Sequence, residues 1–386
     1  MTAPEFARTI KRAELEVDDG IFTKGAQIVV EVGGERVLDL AMGDSGLGVP
    51  MTSEQVLRVY CTIKPITVIA IAQLVERGLL DLDDPLEARL PRCRALAGGV
   101  TLRHVLTHTA GLHRPMGIEM EMTVPAVRRQ IVEQTPRPTA WRVGVDAAYS
   151  EFSGWQMLGW LIEDVTGEPT REYLRHAVLD PLGLHDTWIG MTEADYNAVL
   201  PRLGVNHDLR EQGSAFPMLF ERSRRVCQET NPAHGGYTTA RDLARFYTQV
   251  LQGIAGNAVA GLPGAATLRQ FCSEARPPVY DQVLDRVSPY GLGFMTSLDQ
   301  HAFSTACGPA SFGHSGNVGA SFAYADPERD LAVAVVYNGL VGYEVAFLRR
   351  EALLTALYRD LDDVFAEAEE AEPRGRGLFA RLRNRG

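Results

Sequence analysis

The apolar positions fall into zones of different period. Near the start, "GAQIVVEVGGERVLDLAMG" carries two apolar runs around Gly33-Gly34, the pattern of a β-hairpin. Near the other end, "ASFAYADPERDLAVAVVYNG" gives two more, joined by the turn-rich Asp326-Pro327-Glu328-Arg329-Asp330. From about Asp81 to Ser288 the pattern is helical, punctuated by Pro and Gly. There "TTARDLARFYTQVLQG" predicts a helix with Thr239 as N-cap, Asp242 at N3 and Gly253 at its end. "EVAFLRREALLTALYRDL" predicts a late amphipathic helix. Strands at both ends with helices between imply an α/β fold: one sheet built from the two termini, and a helical insertion.

One stretch breaks the amphipathic rule. Residues from Ile63 to Val75 are apolar nearly all round, as in a buried helix. Pro65 fits only the first turn of such a helix, so Cys61 marks its start and Lys64 lies one turn on, on the same face. A helix N-terminus and a nearby amine both favour a thiolate. A lysine drawn into an apolar helix loses proton affinity and becomes a candidate base, which an arginine cannot be. The chain otherwise avoids lysine: Lys11, Lys24 and Lys64 are the only three among 38 basic residues. The competing reading of the pair is a buried small cysteine beside a snorkelling lysine.

Composition narrows the function class. With 386 residues, 45% hydrophobic and 23% charged, this is an ordinary globular chain of one large domain or two intertwined ones. A net charge of −11 excludes a general nucleic-acid binder. No secretory leader and no membrane-spanning run is apparent, and five scattered cysteines read as reduced thiols, so a cytoplasmic protein is expected.

Two further sites stand out. Tyr149 precedes a helix whose apolar face is Phe152, Trp155, Leu158, Ile162 and Val165, and "FGHSGNVGASFAYA" places His314 among glycines at the start of a strand. Glycine in a strand marks close approach by a ligand or another backbone. In order, "CTIK" (Cys61 to Lys64), "YSE" (Tyr149 to Glu151) and "HSG" (His314 to Gly316) resemble the S-x-x-K, Y-x-N and [KH]-x-G motifs of the penicillin-recognising serine hydrolase superfamily. "LVERGLLDLDDPLEARLP", "TLRHVLTHTAGL" and "GGYTTARDLARFY" are similar to it too, so the resemblance spans most of residues 25 to 345.

That resemblance implies a β-lactamase/transpeptidase-like fold, with an antiparallel sheet flanked by helices and the active site against a helical subdomain. It divides 1–360 into a sheet part (about 1–80 and 289–360) and a helical part (about 81–288), leaving 361–386 as a charged tail. It implies that Cys61 attacks an acyl carbonyl and that Lys64 and Tyr149 share general base and acid work. His314 takes the family's lysine slot, as a histidine does in esterase-like branches. The N–H groups of Cys61 and Asn317 form the oxyanion hole, and Glu151, Ser315 and Gly316 face substrate.

Two departures shape the reading. The nucleophile is a cysteine, and Glu151 replaces an asparagine. A carboxylate offers only acceptors, which argues against penicillin hydrolysis and for an amine-bearing substrate. A thioester reacts readily with amines, so acyl transfer from an ester or amide donor to an amine or alcohol is expected. The alternatives are a hydrolase (esterase, amidase or D-peptidase) and a non-catalytic binder of acyl or peptidoglycan-like ligands. Cys61 reads as a working nucleophile, against a relic or an introduced Ser→Cys trap. No cofactor is implied, partners are a small-molecule donor and acceptor, and His104, His108 and His113 lack a metal-site pattern. Pocket shape is assigned to the loops at 113–125 and 206–226. The tail reads as solvated and frayed, against the alternative of a partner or membrane-surface contact through Leu378, Phe379 and Leu382.

Overall fold

The computed structural model describes residues 4–18, 22–91, 93, 96, 98–113, 138, 140–211, 214–301 and 303–371. The central sheet has six strands: β1 (Gly25–Val32), β2 (Glu35–Gly43), β3 (Met295–Thr296), β4 (Phe312–Gly316), β5 (Ser321–Asp326) and β6 (Leu331–Tyr337). Their order is β3-β4-β5-β6-β1-β2, every neighbouring pair antiparallel. The β6–β1 pairing joins the chain ends, with Ala26 opposite Tyr337 and Val32 opposite Leu331. Gly33 (φ 58°) and Gly34 (φ 83°) form the first hairpin's turn, both in the left-handed region that such a turn requires.

The sheet is covered on both faces, which is why the inner strand β6 reads as an unbroken apolar run. On β6, Leu331, Val333, Val335 and Tyr337 face one core, and Ala332, Ala334 and Val336 face the other. The first core is closed by α1 (Ala7–Asp18) and α5 (Tyr343–Ala371) through Ile10, Ala13, Leu353, Leu354 and Leu357. α1 is an addition to the expected elements. It is fastened to α5 by Asp360, whose Oδ2 accepts from the Thr9 N–H at 2.8 Å and hydroxyl at 2.7 Å.

The other core holds α2 (Lys64–Glu76), α3 (Ser153–Thr166) and α4 (Ala240–Ile254). α2 is buried from Lys64 to Ala72, as its all-round apolarity requires. α4 begins at the expected N-cap: Thr239 Oγ1 accepts the Asp242 N–H at 3.2 Å. Its end differs from expectation, because Gly253 lies within the last turn rather than beyond it. A Cβ there would sit 2.5 Å from Leu268 Cδ1, so close packing explains this glycine. α4 also packs on β1, β5 and β6, although it lies within the 81–288 stretch assigned to the helical part. Among the described residues no helix is long and apolar enough to cross a membrane. The tail residues Leu378, Phe379 and Leu382 lie outside the described residues.

Candidate active site

The nucleophile candidate sits on a 3₁₀ turn, Tyr60–Ile63, that runs straight into α2 with Pro65 in the first helical turn. The expected helix start is therefore one tight turn early. Tyr60 adopts φ 51°, a left-handed conformation costing a non-glycine residue about 1–2 kcal/mol. A buried network holds it there. The Tyr60 hydroxyl donates to Glu221 Oε1 at 2.8 Å and accepts from Asn206 Nδ2 at 3.0 Å, while Arg58 lies 3.4 Å from Glu221. β4 presses on the same turn, for a Cβ on Gly316 would meet the Val59 carbonyl oxygen at 2.2 Å. The close approach signalled by glycine is backbone against backbone, and Gly316, expected to face substrate, is not part of the cavity wall.

Lys64 is fully buried, and its Nζ donates to the carbonyls of Ala233 at 2.6 Å and Glu151 at 3.0 Å. Burial pushes its pKa below the usual lysine value, and the neighbouring Cys61 side chain acts in the opposite direction. The arrangement satisfies both protonation states. As an amine, Lys64 keeps both N–H bonds to carbonyls with its lone pair free to accept a proton; as an ammonium, it keeps the same two bonds and has a third proton to give. The Ala233 carbonyl is itself fixed by Asn231, whose Oδ1 accepts from the N–H groups of Ala233 at 3.0 Å and His234 at 3.3 Å.

Tyr149 shares the cavity with Cys61, and burial raises its pKa well above the ordinary phenol value, with the Cys61 side chain acting in the same direction. It is therefore a proton donor at neutral pH. Lys64 Nζ lies 5.3 Å from its ring centre. These opposite directions separate the two roles left shared above: Lys64 is the candidate base and Tyr149 the candidate acid.

His314 is fully buried beside Tyr149, with ring centroids 6.0 Å apart, and does not line the cavity. Its Nδ1 donates to the Ser315 carbonyl at 2.8 Å, so Nε2 accepts from the Tyr290 hydroxyl at 3.2 Å. Burial lowers its pKa far below the usual histidine value, so it is a neutral support for Tyr149. His108 plays a similar part: its Nδ1 accepts the Ser150 N–H at 2.9 Å and its ring lies 4.6 Å from Tyr149. His104 caps a helix through Thr101, and His113 stacks 5.2 Å from Trp141.

Cys61, Tyr149, Glu151, Ser315 and Asn317 line one cavity of about 250 Å³. The N–H groups of Cys61 and Asn317 both lie at the start of 3₁₀ turns, where helix geometry leaves them without an internal acceptor. They are therefore available to a developing oxyanion. Glu151 is exposed and lines the cavity, its backbone carbonyl serving Lys64.

Sequence reasoning missed the supports. Asp281, Arg276, Asn231, Asn206 and Glu221 carry no motif, and each reaches the site only through folding. Of the 206–226 loop, expected to shape the pocket, no described residue lines this cavity; it instead supplies Asn206 and Glu221 behind Tyr60. Beyond residue 113, the other loop lies outside the described residues.

The Beta-lactamase family model matches residues 16–357. The Mycobacterium tuberculosis protein named "Esterase/beta-lactamase LipL" is 27% identical over 365 residues, 88% of this chain and 82% of that protein. Monacolin J acid methylbutanoyltransferase of Aspergillus terreus is 27% identical over 174 residues, 36% of this chain and 38% of the relative. A penicillin-binding protein homologue from Caulobacter crescentus superposes with a TM-score of 0.74 at 23% identity, covering 92% of this chain and 98% of the other. With that match over most of its length, and an antiparallel sheet flanked by helices as in its structural neighbours, the chain belongs to the Beta-lactamase family.

Proposed function

We propose that this protein is an acyl-transfer enzyme working through a thioester on Cys61. The observation that carries the reading is the Lys64 arrangement, in which a buried amine beside the Cys61 side chain keeps two carbonyl acceptors whether or not it is protonated. Lys64 takes the proton from the Cys61 sulfur, which attacks the carbonyl carbon of an ester or amide donor. The oxyanion rests on the N–H groups of Cys61 and Asn317. As the tetrahedral intermediate collapses, the leaving group departs with a proton from Tyr149, whose replacement comes from Lys64. An acceptor amine, drawn by Glu151, then attacks the thioester, loses its proton to the same pair and displaces the Cys61 sulfur.

The relatives support both acyl transfer and hydrolysis as outcomes in this family, their names including an esterase/β-lactamase and a methylbutanoyltransferase. Hydrolysis is the second reading, with water replacing the amine. A cytoplasmic setting, which keeps thiols reduced, belongs to the same proposal. So does a division into sheet and helical parts, with α4 grouped with the sheet.

The test is intact-protein mass spectrometry after incubation with a panel of acyl esters, with Cys61→Ala as control. An adduct on the wild type alone, discharged faster by amines than by water, supports the proposal. Discharge by water alone moves it to a hydrolase, and an inert thiol moves it to a binding protein.

A further inference from the structure

Arg350, on α5, lines the Cys61 cavity and is only 5% exposed. Its Nε and Nη1 have no hydrogen-bond partner among the described residues. The guanidinium lies 4.9 Å from the Phe303 ring centre and 5.8 Å from that of Phe322. Its neighbour Arg349 shows what a structural buried arginine does here: it donates to the carbonyls of Phe22, Gly339 and Gly319. Arg350 makes no such bonds and no ion pair among the described residues.

A buried charge without a partner is costly, and folded proteins rarely keep one except where a ligand completes it. Burial lowers the Arg350 pKa only to about 10, so it stays a cation at neutral pH. A second arginine, Arg286, lines the same cavity. Its guanidinium hydrogen-bonds the Tyr343 hydroxyl, yet its Nε too is buried without a partner. Leu284, Met295, Phe303 and Ala346 also line it, so two cations and apolar side chains share with Cys61 a cavity of about 250 Å³.

We propose that Arg350 is the anion-binding residue of this cavity and that the acyl donor carries a carboxylate which docks on it. This rests on the reading of the cavity as an acyl-transfer site. A guanidinium offers planar, forked donors that match a carboxylate, and aromatic neighbours hold that plane in place. With Glu151 also lining it, the cavity holds opposite charges for the two substrates: a cation for the donor's carboxylate and a carboxylate for the acceptor's amine.

Two measurements test it. The first compares the p-nitrophenyl ester of pentanoic acid with the mono-p-nitrophenyl ester of hexanedioic acid, on wild type, Arg350→Met and Arg350→Lys. The wild type should prefer the anionic ester through KM, and Arg350→Met should lower its kcat/KM about tenfold more than that of the neutral ester. Arg350→Lys, which keeps charge but not the fork, should fall between them, and it serves if the Met variant does not fold. Arg350→Met should also raise Tm, since it removes an unpaired buried cation. Equal use of both esters by the wild type, a preference that survives Arg350→Met, or a lowered Tm with unchanged preference overturns the proposal.

The second measurement is calorimetric binding of glutarate to Cys61→Ala protein, which cannot be acylated. Binding there that Arg350→Met abolishes supports the subsite even if no ester acylates Cys61, so the subsite and the acyl-transfer reading fail separately. No glutarate binding, or binding indifferent to Arg350→Met, counts against it.

Discussion

The carboxylate of Asp281 accepts the backbone N–H of Tyr149 at 2.9 Å, across 132 residues of sequence. The same buried carboxylate accepts from Val283 and Leu284, each at 3.1 Å, and is paired at 3.1 Å with Arg276. Arg276 in turn donates to the Thr107 carbonyl at 3.1 Å, next to His108. The acid candidate is thus suspended from a hairpin, Arg276–Asp281 and Arg286–Tyr290, that contributes Arg286 to the cavity.

Asp281→Ala would leave Arg276 buried and unpaired, so we expect a loss of about 3–5 kcal/mol in urea unfolding. Adding Arg276→Met should recover much of that stability but not the rate of Cys61 acylation, because Tyr149 has still lost its anchor. A single-variant cost below about 1 kcal/mol would show that the pair is no anchor.

Lys64→Arg and Lys64→Met should each slow acylation by about 10²–10⁴-fold, since neither can accept the thiol proton. Wild-type acylation should rise with pH through a Lys64 value below that of an ordinary lysine. Single-turnover mass spectrometry across pH checks both; normal acylation by the Lys64→Arg protein would remove the base role.

Cys61→Ser replaces the thioester by an oxygen ester on the same turn. We expect acyl-enzyme to form still, with the ratio of amine to water discharge lowered. Glu151→Gln should weaken amine acceptors through KM; the Lys64 bond to the backbone carbonyl is kept, and losing the carboxylate should move the acylation pH profile down, because that charge helps hold the Lys64 pKa up. Product ratios from competing amine and water read both effects, and an unchanged acceptor KM would remove Glu151 from acceptor binding.

Acid should destabilise the fold through its buried histidines. His301 is buried, its Nε2 donates to the Pro289 carbonyl at 2.8 Å, and burial lowers its pKa to about 4. The unfolded chain binds that proton near pH 6.5, so between the two values it holds more protons than the native state. The contribution is complete above about pH 6.5 and lost as pH falls towards 4, about 3 kcal/mol in all. His108, His234 and His314 share the direction. Urea midpoints from pH 7.5 to 4.5 should fall, and His301→Gln should flatten the slope; parallel profiles would refute its part.

The legible features were those written in local pattern. Gly33-Gly34, the run from Ile63 to Val75 and the Thr239 cap each depend on neighbours within a few residues, and each appears in the structure. Gly253 was misread because the atom that excludes a side chain there, Leu268 Cδ1, belongs to another helix. Motif order assigns His314 to the family's lysine slot, but its buried, neutral state depends on burial and on Tyr290 and the Ser315 carbonyl.

By itself the sequence determined the sheet from both chain ends, the buried helix behind Cys61 and the set of groups able to do acyl chemistry. Periodicity and residue chemistry are local quantities, so the chain states them directly. Tertiary structure decided which state each group occupies. Ala233 and Glu151 give Lys64 two fixed acceptors, Asp281 suspends Tyr149, and among the described residues Nε and Nη1 of Arg350 have no hydrogen-bond acceptor. Those outcomes depend on burial and on partners brought together from distant positions, and desolvation acts on a side chain only once its neighbours have excluded water.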